Sequence, residues 1–410
     1  ILGTLVGGAA TIGTAQLAYL YGLSAWWFTL GAGIACLFLG LSLAPSLRRG
    51  MVATIPQFIS RYHDERARVC ASLFSALGMF IHILAQLLAG GALLSTLFGI
   101  SLLGGALIAL LLTALFTVGG GMRSAGPLGI IKVLLIYATM LTAGILAISR
   151  CGGLSSLERA LPAFPWFSLF GYGVKEGLAD FCSLLVGVIS TQTYLQAIFS
   201  ARDTAAARNG ALISALLMPP LGLLAIAIGL FMRLHAPGID SAKALPLFLA
   251  QQFPPALAGI AFAALLITAV GTAAGLAMGV GTTLYVDVVS KLKRAQAHEL
   301  LLMRLLTLGA LLASFGILLF NLDSAIMKWS FLSMGLRGAT LCLPLLLAIF
   351  LHERTTAWGG ALSIFTAPVA VIIAGVCSSP LPPLYVGLAV SCAAILAGFA
   401  RQRFSSSTYK

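Results

Sequence analysis

Charged residues are scarce in this chain, and acidic residues are the scarcest of all. Only 9% of the 410 residues are charged, 60% are hydrophobic, and Lys and Arg outnumber Asp and Glu by 24 to 11. So few charges exclude a soluble multidomain protein, whose surface needs many more. Apolar runs of about 20 residues, enough to cross a bilayer, lie almost end to end along the sequence. The composition therefore predicts a polytopic all-α membrane protein, with lipid around it and no soluble domain.

The sequence also lacks the signatures of an enzyme. Its five histidines have no metal-ligand spacing, and the glycine cluster at 119–121 is not followed by the Lys-Ser or Lys-Thr of a phosphate-binding loop. Its seven cysteines lie mostly inside apolar runs, which does not suggest a disulfide framework. The net charge of +13 does not indicate nucleic acid, because no solvated domain clusters the cations. We expect no catalysis, no ATP-driven transport, no nucleic-acid partner and no cofactor.

The apolar runs predict about twelve spans. Their approximate bounds are 2–21, 25–46, 67–98, 102–118, 127–149, 168–199, 207–234, 256–289, 299–320, 329–351, 357–377 and 383–400. Cations are concentrated in one set of alternate loops, which includes Arg48, Arg49, Arg61, Arg66, Arg68, Arg202 and Arg208, and are sparse in the other, which holds Arg150, Arg159, Arg233, Lys243 and Lys328. Because cationic loops stay cytoplasmic, both ends of this stretch are predicted to lie inside, in a membrane that we expect to be a bacterial inner membrane.

The first span contains Gly3, Gly7, Gly8 and Gly13, and so many glycines predict that its helix unwinds. Unwound backbone at membrane depth must face a protein cavity or an ion, and such discontinuous helices are typical of secondary transporters. The sixth span, FGYGVKEGLAD followed by LLVGVIS, repeats the glycine pattern in inverted orientation. We therefore expect one transporter domain over 1–410. It would consist of repeat one (1–150), an inverted repeat two (165–352) and two extra C-terminal helices (357–400). Because Ile1 lies within a span, the chain is expected to be a piece of a longer protein.

Several stretches together resemble the sodium:solute symporter family, which carries sugars, proline, pantothenate and sialic acid with sodium. They are TIGTAQLAYLYGLSAWW, ATIPQFISRYH, GGMRSAGPLGIIKV, STQTYLQAIFSARDTAAARNG and AALLITAVGTAAGLAMGVGTTLYVDVV, in the family's order from about residue 4 to 345. The resemblance implies the LeuT-like fold of five plus five inverted helices. It also implies a symporter that moves a small organic solute by alternating access, coupled to sodium.

The resemblance further implies a sodium site between the first and eighth core helices. Backbone carbonyls of Gly3 and Val6 and the hydroxyl of Thr268 would contribute ligands, and two adjacent hydroxyl residues usually complete the site. Here those two positions are Gly271 and Thr272, so one hydroxyl is missing. The alternative for Thr272 is a hydrogen bond back to its own helix turn.

The fifth core helix departs from the family as well. Many relatives have an Asp where this chain has Gly129, and Lys132 follows one turn later. A buried lysine carries a fixed cation and can exchange its proton, so Lys132 is a candidate ion surrogate or proton site. The alternative is that its long side chain reaches back to the cytoplasmic interface.

Polar residues near the two predicted breaks and within the core spans are the candidate substrate contacts. They are Gly7, Gly8, Thr11, His82, Gln86, Ser190, Thr191, Gln192 and Arg337. Arg337 either binds a substrate carboxylate bidentately or pairs with Glu176 or Asp180. His82 and Gln86 share a helix face, where His82 could bind substrate, relay protons or simply be satisfied by a neighbour.

The sequence thus predicts a secondary active symporter. Two alternatives to this function remain. One is a sodium-independent or proton-coupled transporter that uses Lys132 in place of the ion. The other is a membrane sensor module of a larger signalling protein, since some family members are fused to kinase modules. The small apolar break at residues 7–10 disfavours a sugar, and Arg337 favours an organic anion or zwitterion, such as an amino acid or carboxylate, as the solute.

Overall fold

The computed structural model describes residues 1–50, 52, 54–120, 125–291, 298–351, 356–377 and 379–407, and all regular structure in these residues is helical. Residues 121–124 of the stretch GGMRSAGPLGIIKV lie outside the described part. In chain order the α-helices are α1 (Leu2–Leu5), α2 (Thr14–Tyr21), α3 (Trp26–Phe38), α4 (Ala44–Arg49), α5 (Ile55–Ser60), α6 (Glu65–Phe98), α7 (Leu102–Gly120), α8 (Ala125–Arg150), α9 (Leu154–Ala160), α10 (Ala163–Trp166), α11 (Val174–Ile189), α12 (Gln192–Phe199), α13 (Thr204–His235), α14 (Ala244–Gln252), α15 (Pro255–Asp287), α16 (Glu299–Leu318), α17 (Ile326–Phe350), α18 (Ala357–Val376) and α19 (Pro383–Ser407).

Eleven helical segments of the described chain are long and apolar enough to cross a membrane. About twelve were expected, and the difference arises at Gly22. The segment Ala9–Arg49 counts as one run, although α2 ends at Gly22, whose φ of +65° breaks the helix before α3 begins. Only glycine fits here, because a Cβ at residue 22 would lie 2.1 Å from the carbonyl oxygen of Trp166.

The first span is interrupted where the glycines predict. Helix α1 ends at Val6, whose φ of −75° and ψ of 108° are extended. A π-helical segment, Ala9–Gly13, then leads into α2. The extended turn leaves backbone carbonyls of α1 without the partners that a continuous helix would supply.

The sixth span is also interrupted, just after the glycine of LLVGVIS, as its sequence suggests. Gly173 lies before the helix, at the N-cap of α11, and the break falls between α11 and α12 at Ser190 and Thr191. Thr191 has an extended ψ of 119°, and its hydroxyl donates to the carbonyl oxygen of Gly187 at 2.6 Å. The same carbonyl oxygen also accepts the backbone N–H of Ser190 at 3.2 Å, so the end of α11 is held by local hydrogen bonds.

Helix α5 forms within the stretch ATIPQFISRYH, with Thr54 and Gln57 making a reciprocal capping box. Its apolar side chains Ile55, Phe58 and Ile59 are buried. They pack against a protein cluster that includes Leu39 and residues of α17, rather than standing free for lipid. The end of the bundle that holds α5 and the first turns of α6 and α13 is called the basic end below, because Arg61, Arg68, Arg202 and Arg208 lie there.

Helices α6, α15 and α17 form the centre of the bundle. Helix α6 packs against both α15 and α17, and α6 and α17 are the most enclosed of the spanning segments. Small residues allow this close packing: a Cβ at Gly78 of α6 would lie 2.3 Å from Cγ of Arg337 on α17. The two interrupted segments contact this centre, so polar groups from five spans meet inside the bundle.

Candidate ion and substrate site

The ammonium group of Lys132 lies where the sequence places a sodium ion. Its Nζ donates to the carbonyl oxygen of Gly3 and to Oγ1 of Thr272, both at 2.8 Å. Thr272 Oγ1 in turn donates to the carbonyl oxygen of Val6 at 3.2 Å. Only 4% of Lys132 is exposed, so its side chain points into the bundle and does not reach back to the interface.

Two glycines allow the lysine to approach the broken helix. A Cβ at Gly3 would lie 3.1 Å from Cα of Gly129, so α1 and α8 meet at this point with almost no side chain between them. Lys132 lies one turn beyond Gly129 and spans the remaining gap to α1 and α15. A Cβ at Gly129, where many relatives have an Asp, would lie 4.0 Å from Cα of Gly3, so the close approach is tighter at Gly3 than at Gly129.

The other predicted sodium ligands contribute less. Thr268 is buried, but its hydroxyl donates to its own helix at Ala264 O, 2.7 Å away. Gly271 offers no side-chain oxygen, and a Cβ there would meet no atom within 4 Å. Of the described groups at this site, Lys132 is bonded to one carbonyl oxygen and one hydroxyl oxygen, and the second hydroxyl of the family pattern is absent.

A cavity of about 800 Å³ leads from the basic end to this site. Its wall includes Thr4, Lys132, Gln196, Ser214 and Gly271. A second cavity, of about 350 Å³, lies at the opposite end, where Lys175, Glu176 and Asp180 are among its lining residues. In this conformation the larger cavity is the one that reaches Lys132.

Gln86 of α6 bonds directly to the first-span break. Its Oε1 accepts the backbone N–H of Gly8 at 2.7 Å, and a Cβ at Gly7 would lie only 2.7 Å from the same oxygen. Thr11 closes the break from the other side, because its hydroxyl donates to the carbonyl oxygen of Gly7 at 3.2 Å. The orientation of the Gln86 amide follows from this bond, since only the oxygen can accept an N–H.

The polar residues of the second break have different surroundings. Ser190 is buried, and its hydroxyl has no partner among the described residues. Thr191 is bonded to Gly187, as described above. Gln192 contacts the basic end, where its Oε1 accepts the backbone N–H of Ile55 at 2.8 Å and so holds the start of α5.

Arg337 of α17 is completely buried in the centre of the bundle. Its Nη2 lies 2.7 Å from Ser333 Oγ and 3.2 Å from His82 Nδ1, and its Nε donates to the carbonyl oxygen of Ser333 at 3.2 Å. Because a guanidinium only donates, Nδ1 of His82 must be the acceptor, and the ring is neutral with its proton on Nε2. The predicted pairing of Arg337 with Glu176 or Asp180 is absent from the described contacts; Asp180 accepts instead from the hydroxyl of Tyr172 at 2.8 Å.

Tyr172 lies in the loop before α11, outside the spanning segments. Burial and the neighbouring Asp180 carboxylate raise the pKa of its phenol. The hydroxyl therefore stays protonated at neutral pH and remains the donor that satisfies Asp180.

An ionic network at the basic end has no counterpart among the sequence predictions. Nε of Arg68 donates to Oδ1 of Asp287 at 2.8 Å, and the Thr54 hydroxyl donates to Oδ2 at 3.1 Å. Glu65 extends the network, with Lys291 at 2.6 Å and Arg68 at 3.3 Å. It joins α5 and the start of α6 to the end of α15. The sequence signal for this network is Asp287, the acidic residue at the end of α15. Its partners Thr54 and Arg68 lie more than 200 residues away in sequence.

Spanning helices broken near their middle, with buried polar groups gathered around the breaks, define the class of secondary transporters. Residues 1–366 match the model of the sodium:solute symporter family. The chain therefore belongs to that family, whose members are transporters and not enzymes.

Solved structures agree on the fold. A Na+-coupled sialic acid symporter in a substrate-bound outward-open state is 19% identical and has a TM-score of 0.78, with 97% of this chain and 87% of that chain covered. Mhp1, a nucleobase-cation-symport-1 family transporter, is 13% identical with a TM-score of 0.64, over 99% of this chain and 92% of that one. Both have the LeuT-like fold, so the fold class predicted from the sequence is confirmed.

Among curated proteins, the chain is 28% identical over 153 residues to the uncharacterized symporter YwcA of Bacillus subtilis (strain 168). The match covers 37% of this chain and 30% of the relative's length.

Proposed function

We propose that this chain is a secondary active symporter that moves a small organic solute by alternating access, with the ammonium of Lys132 in the place of a bound sodium ion. The observation that carries the proposal is the pair of 2.8 Å hydrogen bonds from Lys132 Nζ to Gly3 O and Thr272 Oγ1. These are the oxygens that the family resemblance assigns to sodium.

Electrostatics disfavours binding of a sodium ion beside the charged ammonium group of Lys132. Two unit charges about 4 Å apart repel by several kcal/mol at the effective dielectric of a protein interior. The described residues around Lys132 provide neutral oxygens but no carboxylate to offset a second charge, since Gly129 stands where relatives have an acid. A bound sodium ion would therefore have to displace the ammonium group.

Proton coupling follows from the same geometry. A buried lysine can exchange its proton, and the cavity of about 800 Å³ brings Lys132 within reach of the basic end. We propose that the basic end is cytoplasmic and that the membrane is a bacterial inner membrane. Its cationic loops support this orientation. Lys132 would release its proton through this cavity and regain it when the bundle opens on the other side.

Sodium binding can be tested without knowing the solute. We expect the thermal unfolding midpoint of the purified wild-type protein to be the same in NaCl and in choline chloride. We expect Lys132→Ala to be stabilised by NaCl, because the freed oxygens of Gly3, Val6 and Thr272 can then bind sodium. Lys328→Ala, which removes an exposed ammonium, is the matched control and should behave as the wild type does.

Transport provides the second test, in proteoliposomes with labelled sugars, amino acids and organic acids. A transported solute should accumulate under a proton gradient, remain indifferent to a sodium gradient, and lose gradient-driven accumulation in Lys132→Ala. Wild-type accumulation that follows the sodium gradient, or wild-type stabilisation by NaCl over choline chloride, would contradict the proposal. The wild-type measurements stand even if Lys132→Ala does not fold.

A further inference from the structure

Arg337 is a buried cation without an anionic partner. It is completely buried, and the groups that contact its guanidinium are the hydroxyl and carbonyl of Ser333, the His82 ring and the sulfur of Met334. All of these are neutral. The ion pairs formed by the described residues do not include Arg337. A charge in the interior of a membrane protein is costly unless it is paired or hydrated, so an unpaired one indicates a function.

Unused hydrogen-bond donors extend from Arg337 along α6. Nη1 of Arg337 is buried and has no partner among the described residues, and neither has Nε2 of Gln86. His82 lies between them, one turn before Gln86 on the same face of α6, and carries a proton on Nε2. Buried donors without acceptors are expensive. This row of groups therefore favours a ligand with acceptor oxygens and a negative charge.

The row connects the two helix breaks. Gln86 holds the backbone N–H of Gly8 at the first break. At the other end, Sδ of Met334 lies 3.4 Å from Arg337 Nη2 and 3.9 Å from the hydroxyl of Thr191 at the second break. Arg337 is thus two contacts away from the second break and reaches the first through α6. These breaks are the elements at which such transporters hold their substrates.

The acids of the core are already engaged. Asp287 binds Arg68 and Thr54, and Asp180 binds Tyr172. A zwitterion would bring an ammonium group into a centre that already contains Lys132 and Arg337 and offers no free carboxylate among these groups. A simple organic anion meets no such cost.

The surroundings of the breaks restrict the size of the ligand. A Cβ at Gly8 would lie 2.5 Å from Cβ of Ala89, and a Cβ at Gly78 would lie 2.3 Å from the Arg337 side chain. Glycine and alanine line this region because the helices approach closely. A carboxylate attached to a few carbon atoms fits here more easily than a bulky one.

We infer that the guanidinium of Arg337, with His82 and Gln86 beside it, binds the carboxylate of the transported solute, and that this solute is a small organic monocarboxylate without an ammonium group. The inference rests on the proposed transport function and names its substrate class. With one proton carried per carboxylate, the transport cycle would move no net charge.

Ligand binding to the purified full chain tests the inference apart from transport. The probes are acetate, propanoate, pyruvate and lactate, each compared with its neutral amide, and alanine as the zwitterion. We expect at least one carboxylate to raise the thermal unfolding midpoint of the wild type and its amide to have no effect. We expect alanine to have at most a small effect. Isothermal titration of that carboxylate should then give an affinity at least tenfold lower in Arg337→Lys and about a hundredfold lower in Arg337→Gln.

The outcome that overturns the inference is the absence of any carboxylate effect, or equal binding of an amide or of alanine. Unchanged carboxylate affinity in a folded Arg337→Gln would overturn it as well. If that variant does not fold, the carboxylate-to-amide comparison on the wild type still decides. Failure of the Lys132 proposal has a different signature, namely sodium-dependent stability or accumulation, so the two ideas fail separately.

Discussion

Lys132 and Arg337 are both buried cations on spanning helices, but their partners differ. Lys132 donates two short hydrogen bonds to oxygens of α1 and α15 and borders a cavity. Arg337 is sealed inside the bundle and keeps an unused donor at Nη1. The lysine site is complete within the chain, whereas the arginine site still lacks an acceptor.

This difference separates two roles that composition alone cannot distinguish. A buried cation with its acceptors in place can serve as a built-in ion, which holds the broken helix and exchanges a proton. A buried cation that keeps a donor without an acceptor, as Arg337 does at Nη1, is prepared for a ligand with acceptor oxygens. Arg68 gives the reference case, because its carboxylate partner Asp287 is supplied by the chain itself.

The largest expected effect comes from replacing each cation by Gln. Truncating one partner of a buried charged hydrogen-bonded pair costs about 2–5 kcal/mol. Arg337→Gln should therefore lose carboxylate exchange by about a hundredfold. Lys132→Gln should lose accumulation under a proton gradient while exchange falls much less. Counterflow and gradient-driven uptake in the same proteoliposomes measure the two effects. Equal loss of both activities in both variants would remove the distinction between the sites.

Gly78→Ala should disturb the arginine site without changing any charge. The new methyl would lie 2.3 Å from Cγ of Arg337, and such overpacking costs about 1–3 kcal/mol. We expect a lower unfolding midpoint and weaker carboxylate binding. Gly259→Ala on α15 is the matched control, since a Cβ there meets nothing within 4 Å. A Gly78→Ala protein as stable as this control would show that Arg337 is not held where we describe it.

Thr272→Val should affect the lysine site by removing one of its two acceptors. Loss of a buried hydrogen-bond partner costs about 1–3 kcal/mol. We expect a lower thermal midpoint with carboxylate binding retained, and recovery in Thr272→Ser, which keeps the hydroxyl. Differential scanning fluorimetry with and without the carboxylate measures both. Destabilisation by Thr272→Ser as large as that by Thr272→Val would assign the effect to packing and not to the hydroxyl.

The smallest effect is expected from Lys291→Ala at the basic end. Lys291 pairs with Glu65 at 2.6 Å, but both side chains are about half exposed, and such pairs contribute about 0–1 kcal/mol. The unfolding midpoint should hardly change at any salt concentration. A shift as large as that of Thr272→Val would mean that the basic-end network is as important to stability as the buried lysine site.

The sequence predicted much of the fold because membrane crossing is a local property. Runs of apolar residues gave the spans to within a few residues, and the only difference in their count arises at the turn of Gly22. The glycines of the first span predicted its interruption correctly. The glycine of LLVGVIS likewise precedes the second break, which falls at Ser190 and Thr191.

Among the candidate site residues, the sequence singled out Lys132 and Arg337 but left their partners open. Alternatives remained because the contacts join residues far apart along the chain: Lys132 meets Gly3 and Thr272 across 129 and 140 positions. For Gln192 the structure adds a contact that the sequence did not predict. It was a candidate substrate contact because it lies near the break, yet its side chain holds the start of α5.

By itself the sequence determined that this is a polytopic membrane protein of the sodium:solute symporter family, that its first span breaks, and that Gly129 stands where many relatives have an acid, with Lys132 one turn later. Hydropathy, glycine content and residue identity are properties of a single stretch of chain. Only the tertiary structure decided that Lys132 points to α1 and α15 rather than to the interface, and that Arg337 meets His82 and no carboxylate. Those outcomes depend on how closely the helices approach one another, which the glycines at residues 3, 78 and 129 permit but do not specify.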